Sequence, residues 1–227
     1  MSLVGFRILD RSAAAISADV LAQYATVGSA QISDCMGRLY GVVGLLPRHN
    51  PQAPRMVGRA VTVKARPGDN LMIHKAIALA QPGDVIVVDG AGEAANALVG
   101  ELMAMDAEGR GVAGFVIDGA IRDADVFAQS AFPCFARSIS HKGPYKDGPG
   151  EINVPVSIGG QVVCAGDVVV GDADGVIAIP AAVAHEVLAL ALKKEADEAK
   201  IKERIRAGTY VKPWVDQTIA AKTGGAA

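Results

Sequence analysis

Two apolar segments that both end in Asp-Gly constrain the fold of this chain more than any other feature of its sequence. The segments, DVIVVDG and GVAGFVIDG, are predicted to be short buried strands that end at Asp89 and Asp118. Residues 98–108, which lie between them, are predicted to form a helix. A helix that connects two such strands makes a βαβ unit, in which the strands lie parallel. The chain is therefore predicted to adopt an α/β fold.

Other segments extend this prediction toward the N-terminus. Residues 17–37 look helical in two pieces, each opening with a serine that could cap it. GRAVTVKA alternates like a strand, and a further helix is expected to open after Asn70 and to stop at Pro82. Residues 47–54 are proline-rich and are expected to form a loop or an interface arm.

The C-terminal part has a different pattern, in which short apolar segments alternate with glycine turns. FPCFARSIS is predicted as a strand, and several more short strands are predicted with turns at Gly159-Gly160, Gly166-Asp167 and Asp174-Gly175. A helix from about 181 to 206 follows, and the final TGGAA is expected to be frayed. We predict one domain over residues 1–227, with a mixed sheet, flanking helices and this C-terminal helix.

Composition excludes several classes of function. Apolar residues make up 51% of the chain but aromatic residues only 4%, which does not suit a surface that stacks nucleic-acid bases. The net charge is −2 and basic residues are scattered, so nucleic acid is not expected as a partner. No apolar run is long enough to span a bilayer, so a membrane is not expected either. No signal peptide is evident, and three widely spaced cysteines without a CxxC pair fit reduced thiols, so we expect a cytoplasmic protein.

A candidate ligand site lies where the two strands of the βαβ unit are predicted to end. Ligands of open α/β sheets bind outside the carboxyl ends of the strands, and here Asp89 and Asp118 lead into glycine-containing turns. The helix that begins near Gly100 would direct its free N-terminal amides at the same crevice as Arg122, a combination that suits a small anion. For the glycines alone, a plain tight turn explains the sequence equally well.

Acidic residues near Arg122 suggest a cation at this crevice. Glu101, Asp123 and Asp125 could converge there, and oxygen ligands favour Mg²⁺, Mn²⁺ or Ca²⁺ over zinc. The histidines show no ligand spacing, His74 is expected to pack on its helix, and no lysine is distinguished as a Schiff base. Two structural alternatives stay open: a surface salt bridge between Arg122 and Asp123, or Asp123 as a helix cap. For Asp125 a solvated carboxylate is favoured.

Seven stretches of the chain carry a resemblance to a known family. Within Thr26 to Gly208 they are GRLYG, GRAVTVKARPGDNLMIHKAI, PGDVIVVDG, GELMA, GFVIDGAIRD, EINVPVSIGG and AGDVVVGDADGVIAIP. The chain resembles the 4-hydroxy-4-methyl-2-oxoglutarate / 4-carboxy-4-hydroxy-2-oxoadipate aldolases, which share their fold with the regulator of ribonuclease E activity. The resemblance implies a single α/β domain of the swivelling β/β/α type.

The most specific shared element is an acid, twenty intervening residues and then Arg-Asp, here Glu101 followed by Arg122 and Asp123. The resemblance implies that all three are catalytic. Asp123 would bind the divalent metal directly and Glu101 through water, although the family commonly has Asp at the position of Glu101. Arg122 would contact the pyruvyl oxygens of the substrate and stabilise the enolate oxygen as it forms.

The resemblance also implies contacts from two further segments. The backbone amides of the GELM turn would hold the pyruvate carboxylate. A glutamate of the neighbouring subunit would complete the metal site through water, and Glu195 matches that role better than Glu198. The residues of the turn are Gly100, Glu101, Leu102 and Met103.

These residues imply a class II aldolase that depends on Mg²⁺ or Mn²⁺. It would cleave 4-hydroxy-4-methyl-2-oxoglutarate, 4-carboxy-4-hydroxy-2-oxoadipate or both to pyruvate and a second 2-oxo acid, and it would decarboxylate oxaloacetate as a side activity. The expected partners are these small 2-oxo acids and further copies of the chain, in a trimer or a pair of trimers. Two alternatives are a non-enzymatic regulator that binds ribonuclease E and a lyase for another 2-oxo or sugar acid.

Overall fold

A computed structural model describes residues 4–11 and 16–224 of the chain. Its helices are α1 (Ala18–Tyr24), α2 (Ser29–Cys35), α3 (Leu71–Leu79), α4 (Glu101–Gly109), α5 (Ala124–Gln129), α6 (Ala184–Arg206) and α7 (Pro213–Thr223), with a 3₁₀ turn at Ala181–Val183. Its strands are β1 (Leu46–Pro47), β2 (Met56–Ala65), β3 (Asp84–Val99), β4 (Gly114–Ile121), β5 (Cys134–Ile139), β6 (Gly150–Ile152), β7 (Val156–Ile158), β8 (Gln161–Val163), β9 (Val168–Asp172) and β10 (Gly175–Ile179).

One mixed sheet organises these elements, and it confirms the predicted fold class. Its strand order is β1-β5-β4-β3-β2-β9-β10, and β6 pairs with β2 beside this path. The four strands β2, β3, β4 and β5 are parallel to their neighbours in this group, whereas β1, β6, β9 and β10 pair in the antiparallel sense. Strands β7 and β8 form a separate hairpin. The predicted βαβ unit is β3-α4-β4.

The central strands contain long apolar runs because both faces of the sheet are covered. Successive side chains of a strand point to opposite faces. Ile86 and Val88 of β3 belong to one hydrophobic cluster, which also includes Ile73 of α3. Val85 and Val87 belong to a second cluster, on the opposite face. This arrangement explains the continuous apolar run at residues 85–88 of β3.

Strand β3 is longer than predicted, since it spans 16 residues and does not end at Asp89. The backbone takes positive φ values at Ala91 (57°) and Gly92 (69°), and the pairing with β4 shifts register after Asp89. A glycine favours this left-handed conformation, and a local bulge allows the strand to bend and continue. The prediction that both strands stop at Asp-Gly was therefore wrong.

The predicted cap residues of the helices were correct in one case and wrong in another. Ser17 caps α1 and accepts a hydrogen bond from the amide of Val20, as predicted. The cap residue of α2 is Gly28 and not the predicted serine, because Ser29 already lies in the helix and donates its hydroxyl to Asp172. Helix α7 was not predicted at all.

An N-terminal strap, residues 5–11, crosses the edge of the sheet at β6. Arg7 makes two hydrogen bonds to Glu151, with Nε–Oε1 and Nη2–Oε2 distances of 2.7 and 2.6 Å. The hydrogen bond from Arg7 and a second one from the amide of Gly5 lower the pKa of Glu151 to about 2. Arg11 forms a similar fork on the fully buried carboxylate of Asp84. A buried carboxylate needs such partners, so the strap is integral to the fold.

The chain consists of two compact units, Met1–Ala191 and Leu192–Ala227. The sheet and helices α1 to α5 lie in the first unit. The second unit contains the charged part of α6, where Lys194 pairs with Glu198 one helical turn later (Nζ–Oε1 3.7 Å), and α7. Within the described ranges, 4–11 and 16–224, the structure has no helix that is both long enough and apolar enough to cross a membrane.

Candidate active site

A cleft of ≈ 310 Å³ opens at the carboxyl ends of β3 and β4, where the sequence predicts a ligand site. Four segments form its walls: the start of α3, the end of β3 with the first turn of α4, the residue after β4, and a loop between β5 and β6. The lining residues are Asn70, His74, Ala97, Leu98, Val99, Gly100, Leu102, Met103, Arg122, Gly143, Pro144 and Lys146. This set contains basic side chains and no carboxylate.

Arg122 follows the last residue of β4 and is held at the cleft by its backbone. Its amide donates to the carbonyl oxygen of Val99 at 3.0 Å, which joins the end of β4 to the end of β3. The ends of β3 and β4 therefore lie close together, as predicted. The guanidinium group lies at the cleft wall and is partly exposed, so it remains accessible to a ligand.

The side chain of Asp123 caps helix α4 and not α5, the helix that it precedes. Its Oδ2 accepts a hydrogen bond from the amide of Glu101 at 2.9 Å, whereas it makes no side-chain cap bond in α5. The residue takes the left-handed conformation, with φ 58° and ψ 43°, which aspartate tolerates better than most residues. Asp123 thus occupies the N-cap position of α5, as the sequence allows, but its side chain makes no cap bond there.

The predicted salt bridge between Arg122 and Asp123 is present but loose. Nε of Arg122 lies 3.7 Å from Oδ2 of Asp123, and the two side chains are 45% and 38% exposed. An exposed ion pair at this distance adds little to stability. The pair is therefore poorly explained as a stabilising contact, and it keeps both charged groups beside the cleft.

Gly100 allows the two charged side chains to approach the start of α4. A Cβ atom at this position would lie 2.5 Å from Oδ2 of Asp123 and 2.9 Å from Cγ of Arg122. The backbone of Gly100 is extended, with φ −151°, so the requirement for glycine is one of space. Any side chain here would displace the Arg-Asp pair.

The GELM turn has the predicted position, and some of its amides are engaged within the protein. The amide of Glu101 donates to Asp123, and the amide of Met103 donates to the carbonyl oxygen of Gly100 at 3.1 Å. Met103 is buried, whereas Leu102 is exposed on the first turn of the nine-residue helix α4. A substrate carboxylate at this turn would share the Glu101 amide with Asp123.

The predicted group of three carboxylates does not form. Asp125 is exposed on the first turn of α5, in agreement with the solvated carboxylate that the sequence favours. No group of three or more His, Cys, Asp or Glu residues able to hold a metal occurs in the described part of the chain. Mg²⁺ commonly binds one or two carboxylates and keeps several waters, so the accessible carboxylate of Asp123, with Glu101 adjacent, fits such an ion better than zinc.

The predicted approach of Asp89 and Asp118 to this crevice is wrong. Both carboxylates are buried on the opposite face of the sheet, where Asp118 Oδ1 accepts from Nε of Arg137 at 2.5 Å. Asp89 lies 3.5 Å from Nζ of Lys64, and it also accepts the amide of Ala91 at 3.0 Å. These contacts support the bulge of β3 and contribute nothing to the cleft.

Three cleft residues were missed or misread from the sequence. His74, expected to pack on its helix, is exposed at the cleft wall, and so is Lys146. Partial burial, together with the nearby charge of Lys146, lowers the pKa of His74. Asn70 is buried; its Nδ2 donates to the carbonyl of Leu98 at 3.0 Å, and its Oδ1 has no hydrogen-bond partner among the described residues. Asn70 is the cap residue of α3 and His74 lies four positions later, and this spacing was the available signal for these two residues.

The glutamates predicted to act across a subunit boundary lie in the second compact unit. Glu195 is on α6, with its Oε1 3.7 Å from Nζ of Lys202. Glu198 pairs with Lys194 on the same helix. Their contribution to a site therefore stays a prediction.

Comparison with known proteins gives the same fold. The family model described as RraA-like, Aldolase/RraA, matches residues 29–178. A protein of Halalkalibacterium halodurans with the name "Putative 4-hydroxy-4-methyl-2-oxoglutarate aldolase" is 41% identical over 180 residues, 79% of this chain and 85% of that protein. An uncharacterized protein from Pseudomonas syringae pv. tomato superposes with a TM-score of 0.78 at 28% identity, over 86% of this chain and 96% of its own. The RNA-processing inhibitor RraA from Thermus thermophilis gives a TM-score of 0.61 at 28% identity, over 67% and 92%.

The mixed sheet and the cleft beside the Arg-Asp pair define an α/β protein with the fold that these solved structures share. The family model covers more than half of the chain, and the Halalkalibacterium protein agrees with it. The chain belongs to the RraA-like family, whose description joins aldolases with RraA proteins.

Proposed function

We propose that the protein is a class II aldolase that uses Mg²⁺ or Mn²⁺ to cleave a 4-hydroxy-2-oxo acid and release pyruvate. The substrates would be 4-hydroxy-4-methyl-2-oxoglutarate, 4-carboxy-4-hydroxy-2-oxoadipate or both, with decarboxylation of oxaloacetate as a side activity. One observation carries the proposal. The side chains of Arg122 and Asp123 lie together beside Gly100, at the N-terminus of α4 and the edge of the cleft. The aldolase name of a relative 41% identical to this chain supports the same class.

Each residue of this arrangement has a chemical task in the proposed reaction. The first turn of α4 binds the carboxylate next to the 2-oxo group, because helix N-termini attract anions. Asp123 would hold the cation, with Glu101 acting through water, and the bound cation would supply a Lewis acid for the 2-oxo carbonyl of the substrate. The guanidinium group of Arg122 stabilises the negative charge that develops on that carbonyl oxygen.

The charges of the cleft wall favour a substrate with more than one carboxylate. Arg122 and Lys146 line the same cleft, and none of its lining residues is acidic. Both proposed substrates carry a carboxylate at each end. The second carboxylate of either substrate would therefore lie close to the basic side chains of the cleft. The proton of the C4 hydroxyl group would pass to a water held by Glu101, which is partly exposed at the first turn of α4.

We expect pyruvate release from oxaloacetate and from 4-hydroxy-4-methyl-2-oxoglutarate to stop in excess EDTA and to return with Mg²⁺ or Mn²⁺. Borohydride added together with pyruvate should leave no covalent adduct on the protein, because no lysine serves as a Schiff base. A coupled assay for pyruvate and intact-protein mass spectrometry measure the two results. Full activity in EDTA, or a reduced lysine adduct, would contradict the class II assignment.

We also propose a trimer or a pair of trimers in which Glu195 completes the site of a neighbouring copy. The motive is a charged helix, α6, that presents Glu195 in a compact unit separate from the sheet. If the site is shared, inactive Glu195→Ala and Asp123→Ala proteins, unfolded and refolded together, should regain part of the activity. Refolding either variant alone is the control and should regain none. An active monomer in light scattering would exclude this arrangement, and Glu198→Ala tests the second-choice residue.

The second candidate function is that of a non-enzymatic regulator of RNA processing. It is favoured by the structural similarity to the RNA-processing inhibitor RraA from Thermus thermophilis. The regulator would act through its surface, so Arg122→Ala and Asp123→Asn should leave inhibition of a ribonuclease E unchanged. If the protein inhibits that enzyme and releases no pyruvate from any 4-hydroxy-2-oxo acid, this alternative is correct.

A further inference from the structure

The buried carboxylate of Asp69 is not used by the proposed chemistry, yet it is fully engaged. The side chain is 2% exposed and lies just before α3. Its Oδ2 accepts hydrogen bonds from the amides of Asp147 and Gly148, at 2.7 and 2.8 Å. Its Oδ1 accepts the amide of Leu71 at 2.9 Å, at the first turn of α3. One carboxylate therefore joins the start of α3 to the loop that carries Lys146.

This loop, residues 142–148 and here called the wall loop, forms one side of the cleft. The end of β3 holds its other side, because Asn96 donates to the carbonyl of Gly143 at 2.6 Å and the amide of Ala97 donates to Lys142 at 2.8 Å. Tyr145 exchanges two backbone hydrogen bonds with the segment that precedes α3, at 2.8 and 3.0 Å. Lys146 thus stands between two anchored points of the loop.

We propose that Asp69 is a positioning residue that fixes the wall loop, so that the ammonium group of Lys146 recognises the far carboxylate of the substrate. The inference rests on the proposed function for the identity of the ligand, but the anchoring itself does not. A long lysine side chain gains affinity only if the backbone that carries it is fixed, since ordering a mobile loop on binding costs free energy. Asp69 holds the wall loop in place in the free protein, so this free energy is not lost when the substrate binds.

Asparagine is the sharpest replacement at this position because it has the same shape and only one acceptor oxygen. Asp69 accepts at both oxygens, and each faces amide donors. In the Asp69→Asn protein the side-chain NH₂ must face one of these donors, so either the wall loop or the start of α3 loses its acceptor. Losing hydrogen bonds to a buried charged group is costly, and the segment that loses them becomes more mobile.

The test uses two ligands of equal chain length, 2-oxoglutarate and 2-oxopentanoate, of which only the former carries a far carboxylate. Calorimetric titrations in saturating Mg²⁺ should show that the wild type prefers 2-oxoglutarate. Asp69→Asn should weaken 2-oxoglutarate binding about tenfold, which corresponds to roughly one hydrogen bond to a charged group, and should leave 2-oxopentanoate binding unchanged. In the Lys146→Met background the same substitution should have no further effect.

Asp147→Asn is the matched control, because it changes the same charge beside Lys146 but leaves the backbone amide that Asp69 binds. It should bind both ligands as the wild type does. An equal loss of affinity from Asp69→Asn with and without Lys146 would overturn the proposed route through Lys146. If Asp69→Asn does not fold, Asp69→Ser, a smaller residue that keeps one acceptor oxygen, replaces it in every comparison.

Amide hydrogen exchange provides a readout that does not depend on any ligand. The amides of Asp147 and Gly148 should exchange faster in Asp69→Asn than in the wild type, and unchanged exchange would overturn the anchoring. A wild-type protein that binds neither 2-oxo acid would contradict the proposed function, and the exchange rates would then still decide whether Asp69 holds the wall loop.

Discussion

Replacing Asp123 by asparagine should raise the Mg²⁺ or Mn²⁺ concentration required for half-maximal activity by more than about 100-fold. Substituting groups that merely support metal ligands already costs about 10–100-fold in metal affinity or activity, and Asp123 is proposed to bind the ion itself. Asparagine suits the position structurally, because it tolerates the left-handed backbone and its carbonyl oxygen can accept the amide of Glu101. The substitution therefore removes the charge and keeps the cap of α4. Asp123→Ala, which also removes the cap, should bind metal as poorly.

Asp125→Asn is the control for this experiment, since it changes the same charge two residues away, on an exposed side chain. Calorimetric titration with Mn²⁺ measures affinity directly, and thermal melts report the fold. Wild-type metal affinity is expected for Asp125→Asn. If Asp123→Asn binds Mn²⁺ as tightly as the wild type and melts a few degrees lower, the carboxylate has only the structural role that its contact with Glu101 gives it.

Replacing Arg122 by alanine should lower kcat by about 100- to 1,000-fold without changing metal affinity. Removing one aligned donor to a developing oxyanion typically costs ~2.7–4 kcal/mol of transition-state stabilisation. Arg122 is only loosely paired with Asp123, at 3.7 Å, so its loss should not disturb the proposed metal ligand. Arg122→Lys should recover little of the rate, because an ammonium group cannot reproduce the planar fork of guanidinium.

Arg110→Ala is the matched arginine control, because Arg110 pairs with Asp106 on the exposed surface of α4. It should retain wild-type kcat, KM and metal dependence. Steady-state kinetics with 4-hydroxy-4-methyl-2-oxoglutarate and with oxaloacetate separate kcat from KM for each variant. Near-native turnover of Arg122→Ala with both substrates would show that the proposed mechanism is wrong.

The sequence was sufficient to predict the fold class because β3 and β4 are buried on both faces where they pair with each other and contain recognisable apolar runs. It failed where local chemistry gave no such pattern. The bulge at Ala91 and Gly92 lengthened β3 beyond its apolar run. Helix α7 was missed because none of its residues is buried, so it has no apolar face whose period could be recognised. A proline at its start and Gly224 at its C-cap were the signals available.

The site was predictable to the extent that it follows a strand end. Arg122 and Asp123 were found because they come directly after an apolar strand, and Gly100 because it precedes a helix. Asp118 was assigned to the cleft although its side chain lies on the opposite face of the sheet. Successive residues of a strand point to opposite faces, so an error of one position in the sequence reverses the predicted face. Asn70 and Lys146 reach the cleft from segments 76 residues apart, and only tertiary contacts such as those of Asp69 bring them together.

The attachment of the N-terminal strap has a consequence for the order in which the protein is made. Arg7 and its partner Glu151 are 144 residues apart in the chain. A ribosome adds about 5–20 residues per second, so Arg7 is synthesised roughly 7 to 29 seconds before Glu151. The βαβ unit, whose strands are close in sequence, has all of its residues available well within that interval. Arg7 is therefore among the earliest residues to be translated, and it has no partner until β6 has been made, after strands β2 to β5 have all been synthesised.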